Sequence, residues 1–248
     1  MVTPNCAIPI DSKILVIGSN GYIGSHIVNV LLSLGYDVRE PVRTPRPWLD
    51  QYFKGKYGED KFESVFLPVF DLDSLDHVMD GVSGVIHGTA SEREAWEWMK
   101  EHQPGFVFNT VLPNTNWGRV LLRQIGGSTG NMLRGLLKGD KSGMQSPPLS
   151  NCESHMPQIH AITLLDPYVS SERLFAFAAP QNWNDVIGII HKLRPDNPLI
   201  PDSPVNEPRD LSNVPGSKRA AQLLSNFFGQ PGFIGLEDTI AATIEGHN

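Results

Sequence analysis

Gly18-Ser19-Asn20-Gly21-Tyr22-Ile23-Gly24 decides the fold of this 248-residue chain. Before it stands Lys13-Ile14-Leu15-Val16-Ile17, a short β-branched run of the kind that forms a strand buried on both faces. After it, Ile23, Ile27, Val30, Leu31 and Leu34 recur at helical spacing, and Gly35 is a natural stop. A second strand is expected from Asp37 to Arg43. Strand, glycine turn, helix and strand within about thirty residues make a βαβ unit, which closes right-handed into a parallel sheet. Each glycine has its physical reason. Gly18 permits the tight turn, Gly21 the close approach of a pyrophosphate, and Gly24 the packing of helix on strand. The helix N-terminus then offers free N–H groups and a positive dipole end to phosphates. The spacing G-x-x-G-x-x-G differs from the commoner G-x-G-x-x-G, but the mechanics are the same. Asn20, Tyr22 and Ile23, between the glycines, join Gly18, Gly21 and Gly24 as candidate cofactor-binding residues.

Outward from the turn, strands are expected at 64–68, 84–87, 105–112 and 174–178. Helices are expected at 75–79, 92–101, 131–137, 184–193, 217–228 and 236–244, and residues 113–160, rich in Gly, Ser, Asn and Pro, read mostly as loop around the helix at 131–137. The fold class is α/β, a shortened Rossmann-like doubly wound parallel sheet with a small C-terminal substrate subdomain. Residues 1–12 read as a loose leader, 13–125 as the dinucleotide-binding core, and 126–248 as the substrate subdomain interleaved with it. Twenty Lys and Arg against 27 Asp and Glu give a net charge of −7. That argues against a basic nucleic-acid surface and against docking on anionic membranes. No apolar run approaches the ~18 residues of a membrane span, and no secretory signal is legible at the start. Cys6 and Cys152 make neither a disulfide framework nor a metal site. A cytoplasmic protein that binds a small molecule and no metal is the expectation.

At the end of a second strand an acid suits a ribose 2′-OH and an arginine a 2′-phosphate, so Arg43 favours NADP(H) over NAD(H) unless it is merely a solvated side chain. His87 ends the expected fourth strand, at the carboxyl edge where ligands bind, and has a side chain suited to acid–base work. It is a catalytic candidate or a structural residue. Thr89 and Ser91 either face a ligand or cap the following helix. Asn114 and Asn116 are catalytic candidates, with Asn109 and Trp117 as substrate contacts, unless they serve turn chemistry. His160 is a further substrate candidate. Asp71 and Leu72 follow the third strand as cofactor candidates, Asp71 otherwise being a helix cap.

Gly18–Gly24 with Ser25-His26-Ile27-Val28 resembles the extended short-chain dehydrogenase/reductase family, in particular fungal NADP-dependent aldehyde and dihydroflavonol-type reductases. The likeness extends through Gly81-Val82-Ser83-Gly84-Val85-Ile86-His87, Pro104-Gly105-Phe106, Gly127-Ser128-Thr129-Gly130-Asn131, and Glu172-Arg173-Leu174-Phe175-Ala176-Phe177 with Asn182-Trp183-Asn184-Asp185-Val186. It implies an enzyme of specialised metabolism on a small organic substrate, with NADP(H) as cofactor and a homodimer as one possible assembly. In that family a long helix, a further strand with a catalytic Ser, and a helix bearing Tyr-x-x-x-Lys follow the fourth strand. Here His87-Gly88-Thr89-Ala90 runs straight into Ser91-Glu92-Arg93-Glu94-Ala95-Trp96, which resembles the end of that last helix. The resemblance therefore implies a deletion of about two βα units, ~60 residues at ~30 per unit. Two formal Tyr-x-x-x-Lys matches exist, Tyr52 with Lys56 and Tyr57 with Lys61, both within residues 51–61, which read as a polar loop or frayed helix before the third strand. Loss of the acid–base pair implies a non-redox reaction such as cyclisation, isomerisation or dehydration. A reductase with a relocated acid and a non-catalytic binding protein are the other readings. Strand 105–112 is expected to pair beside 84–87.

Overall fold

The computed structural model describes residues 5–68, 72–88, 92–145, 152–153, 156–209, 211 and 214–247. β1 (Lys13–Ile17), β2 (Asp37–Val42), β3 (Phe62–Phe66) and β4 (Val82–His87) form one sheet in the order β3-β2-β1-β4. Every pairing is parallel. The chain crosses back through α1 (Tyr22–Ser33), α2 (Pro47–Tyr57) and α3 (Leu72–Met79). Ile14, Leu15 and Val16 of the central strand are wholly buried, as a strand covered on both faces requires. Ile27, Val28 and Leu31 of α1 pack inward, and so do Leu49 and Phe53 of α2.

By internal packing the chain divides into two compact units. The first comprises residues 1–110 and 160–173, the second 111–159 and 174–248. The sequence drew boundaries after 12 and after 125, with the C-terminal part interleaved with the core; the packing draws three crossings. In the first unit, α4 (Glu92–His102) follows β4 and buries none of its residues fully. Glu92 Oε1 accepts hydrogen bonds from Arg173 Nε at 2.5 Å, Thr110 Oγ1 at 2.9 Å and Trp96 Nε1 at 3.1 Å. Donation by Arg173 leads in holding the Glu92 carboxyl below its ordinary range. The second unit contains α5 (Ser128–Leu136), α7 (Trp183–Leu193), α8 (Pro215–Phe228) and α9 (Leu236–Thr243). Trp117, Leu133, Leu137, Trp183, Ile187 and Ile240 belong to its core. α6 (Met156–Leu165) carries the chain from the second unit into the first.

Four expectations are corrected. The segment 105–112 does not pair with β4: only β5 (Thr110–Pro113) is extended, and its partner is β6 (Arg173–Ala176). The cause is local. Thr110 N–H donates to Glu172 O at 2.9 Å, while Asn109 is tied to residues 163, 169 and 172. Among the described residues β4 therefore has β1 as its one ladder neighbour and forms an edge of the sheet. The leader is not loose in its described part, since Ala7 N–H donates to Leu165 O at 2.7 Å and Tyr36 donates to Ile8 O at 2.8 Å. Burial and the bond to Cys6 hold the Tyr36 hydroxyl far above the ordinary tyrosine range. Of residues 51–61, read as a polar loop or frayed helix, 51–57 belong to α2, whose Pro47 suits a first helical turn. Residues 156–165 form α6 where a loop was expected through 160.

Candidate functional site

The glycine turn takes the form its sequence demands. Gly18 adopts φ +91°, a left-handed conformation that favours glycine. Gly21 N–H donates back to Gly18 O at 3.0 Å and closes the turn. A Cβ on Gly24 would stand 2.7 Å from Gly18 C, 2.8 Å from Ser19 Cα and nearer still to Gly18 O, so no side chain fits there. α1 starts directly from Gly21, with no side chain capping its first turn and no acidic residue in it. Such an end is complementary to an anion. These features fit the pyrophosphate of a dinucleotide, whose nicotinamide, when bound, supplies hydride chemistry. The residues that would hold it are Gly18, Asn20, Gly21, Tyr22, Ile23 and Gly24.

A second feature beside the turn was missed. Val38, Glu40 and Val42 alternate on the buried face of β2, and Glu40 is 1% exposed. Its pKa is pushed from 4.5 to about 7, first by burial and further by the charge of Asp50 on α2. Ser19, Arg46 and the Asn20 N–H oppose that shift. Ser19 is itself fully buried, yet neither Ser19 Oγ nor Glu40 Oε2 completes a hydrogen bond of good geometry. The signal was legible: an acidic residue at a core-facing strand position, about twenty residues beyond the turn. The neighbouring cation drew attention instead. Arg43 follows the end of β2 by one residue and is exposed.

His87 closes β4 in register with Ile17, the last residue of β1, and is exposed. It therefore lies on the same strand edge as the glycine turn. Leu72 opens α3. Asp71, Thr89 and Ser91 lie outside the described residues. Asn109 spends its amide on the backbone: Nδ2 donates to Thr163 O and Val169 O, and Oδ1 accepts from Glu172 N–H. His160 is half-buried in the first unit, and its carbonyl accepts from Thr163 Oγ1. Asn114, Asn116 and Trp117 belong to the second unit. Trp117 is 1% exposed, donates from Nε1 to Thr129 O at 3.0 Å and packs on Trp183. Asn116 donates to Asn114 O at 2.8 Å, and its Oδ1 is buried without a bond. A separate cleft of about 470 Å³ in the second unit is lined by Ala178, Gln181, Asp185, Arg209 and Ile234 among others. None of the candidate substrate residues lines it.

The two formal Tyr-x-x-x-Lys matches lie in α2 and just beyond it. Tyr57 Oη donates to Asn29 Oδ1 at 2.8 Å, and Lys56 Nζ donates to the same oxygen at 2.8 Å. Lys61 pairs with Asp37 at 2.8 Å and Asp11 at 3.0 Å, at the start of β2 rather than its carboxyl end. These contacts fasten α2 to α1 and the β2 entrance. Tyr57→Phe is expected to lower stability by about 1 kcal/mol, the net worth of one hydrogen bond, and to leave any turnover unchanged. A denaturant melt with a parallel activity assay checks this, and a large loss of turnover at unchanged stability would return Tyr57 to the chemistry.

Turn and sheet together define a dinucleotide-binding α/β chain. Residues 14–117 match the NAD dependent epimerase/dehydratase family. Ketoreductase adrE of Penicillium rubens is 34% identical, the match covering 97% of this chain and 98% of the relative. Ketoreductase nvfG of Aspergillus novofumigatus is 30% identical, covering 96% and 97%. The chain belongs to the NAD-dependent epimerase/dehydratase family, within the extended short-chain dehydrogenases/reductases. The fold matches that of yeast methylglyoxal/isovaleraldehyde reductase Gre2 complexed with NADPH, with a TM-score of 0.69, 16% identity, and 94% and 97% of the two chains covered. The Penicillium match runs over 329 aligned positions and this chain has 248 residues, so at least 81 of those positions (329 − 248) belong to the relative alone. Among the described residues no group of His, Cys, Asp and Glu is arranged to hold a metal ion, and no helix is long and apolar enough to cross a membrane.

Proposed function

We propose that this chain is an enzyme of the ketoreductase lineage that keeps the dinucleotide fold and acts on a small organic substrate without hydride transfer, by cyclisation, isomerisation or dehydration. The observation that carries the reading is the placement of its Tyr-x-x-x-Lys matches. Tyr57 and Lys61 are bonded to α1 and to the entrance of β2, and Tyr52 with Lys56 lies on the same helix. General acid catalysis of the kind a tyrosine–lysine pair provides is worth about 10²–10⁴-fold in rate. A chain without that pair does better with a reaction driven by binding a reactive substrate in a productive shape. His87, at the carboxyl edge of β4, is the acid–base group nearest in register to the glycine turn. The ketoreductase names of the relatives and the intact turn favour a second reading, NADPH-dependent carbonyl reduction with a relocated acid. Cytoplasmic location and a homodimeric state accompany both readings.

Incubation with polyketide- or terpenoid-like ketones separates the two. The expected result is conversion of substrate with no nucleotide added, and no loss of reduced-nicotinamide absorbance above background. Nucleotide oxidation matched mole for mole by alcohol product would overturn the non-redox reading in favour of the second.

A further inference from the structure

We propose that Glu40 is a charge selector for the glycine turn, its buried carboxyl setting how much negative charge the bound nucleotide can carry. This rests on the reading that the turn holds a dinucleotide. The geometry comes first. Glu40 is 1% exposed on the core face of β2, and Ser19, the first residue after Gly18 in the turn, is fully buried. The Ser19 hydroxyl faces the Glu40 carboxyl, yet neither Ser19 Oγ nor Glu40 Oε2 completes a hydrogen bond of good geometry. A buried acid and a buried hydroxyl that pair this poorly are costly and call for a reason. The groups that face the carboxyl come from three directions: Ser19 and the Asn20 N–H from the turn, Arg46 from the entrance of α2, and Asp50 from its first turn. Asp50 adds a like charge, so the set does not neutralise Glu40.

Glu40 stands two residues before the end of β2, the end at which a dinucleotide places its adenosine ribose. An ionised carboxylate buried there repels phosphate with little screening, whereas the acid form does not. Nucleotide binding therefore favours protonated Glu40 and takes up a proton when it starts from the ionised form. Burial brings this carboxyl to about 7, so the linkage falls in the neutral range. The repulsion is larger for a nucleotide with an additional 2′-phosphate. Exposed Arg43, one residue past β2, pulls the other way, and the balance between Arg43 and Glu40 sets the NADPH-to-NADH preference.

The test is calorimetric titration of NADH and NADPH into the full chain between about pH 6 and about pH 8.5, repeated with Glu40→Gln. The wild-type chain should lose about tenfold in affinity over that interval, as for a displacement of one pKa unit, with the larger loss for NADPH. Glu40→Gln should be flat and relatively better for NADPH. His26, which packs on Tyr22 in α1, and exposed His87 at the end of β4 flank the turn, and the amide variant separates any contribution of theirs from that of Glu40. Proton uptake measured on the wild-type chain in two buffers of different ionisation enthalpy needs no variant, so a misfolded mutant does not shield the proposal. Binding that is independent of pH, or a slope that survives in Glu40→Gln, overturns the selector and leaves the dinucleotide site standing. Absence of binding at every pH, for both nucleotides, overturns both.

Discussion

Gly24→Ala is expected to cost about 3 kcal/mol of stability, the upper end for overpacking in a dense interior, and to abolish nucleotide binding. The new Cβ would lie 2.7 Å from Gly18 C, 2.8 Å from Ser19 Cα and closer again to Gly18 O. All three are backbone atoms of the turn itself. A flexible side chain could swing aside, but a backbone closed by the Gly21-to-Gly18 bond cannot move without opening the phosphate cradle. Helix propensity works the other way, because alanine is the better helix former by about 1 kcal/mol, so a net loss isolates the steric term. Gly55→Ala is the control. Gly55 lies inside α2, an added Cβ would meet nothing within 4 Å, and the variant should gain up to about 1 kcal/mol. Thermal melts of both variants, with and without nucleotide, read the effect. A Gly24→Ala chain that melts like the wild type would remove the close-approach argument.

Glu40→Gln should stabilise the apo chain at alkaline pH by about 3 kcal/mol and by almost nothing near pH 4. The folded chain holds the Glu40 proton to about 7, while the group's ordinary value is 4.5. Between those two values the folded state binds more protons than the unfolded one. Stability therefore falls as pH rises through that window, and the full loss is present above about 7. An amide of the same shape does not ionise and escapes the loss. The difference between denaturant midpoints of the two proteins, plotted against pH, should open across this window and then hold level. Parallel profiles would mean that the carboxyl is hydrated in solution and that its burial carries no electrostatic strain.

Much of the nucleotide half could be read directly from the residues. The run Lys13–Ile17, the glycines at 18, 21 and 24, and the helical spacing to Leu34 are local signals, and the structure realises them as β1, the turn and α1. Glu40 escaped because its meaning depends on which face of β2 is covered, and that is decided by α1 and α2 from outside the strand. Segment 105–112 was misplaced for a similar reason. Its apolar pattern is that of a strand, yet Phe106 and Val107 are exposed, and Asn109 binds partners 54, 60 and 63 residues away. Tertiary partners that distant leave no periodic mark in the sequence. α2 was obscured by charge: with Lys54 and Lys56 the stretch reads as polar, whereas Leu49 and Phe53, four apart, carry the buried stripe. Trp117 and Asn116 drew notice as side chains for a ligand. Burial and bonds to Thr129 and Asn114 engage them within their own unit.

The three crossings between the two compact units, at 110/111, 159/160 and 173/174, mean that neither is a continuous stretch of chain. No single scission can release one of them whole. A fragment ending at residue 110 would lack residues 160–173, and with them the carbonyl of Leu165 that receives Ala7 N–H and the acceptors of the Asn109 amide. Each half is thus threaded through the other's sequence, and dissecting their separate roles calls for point substitutions or rejoined termini rather than truncation.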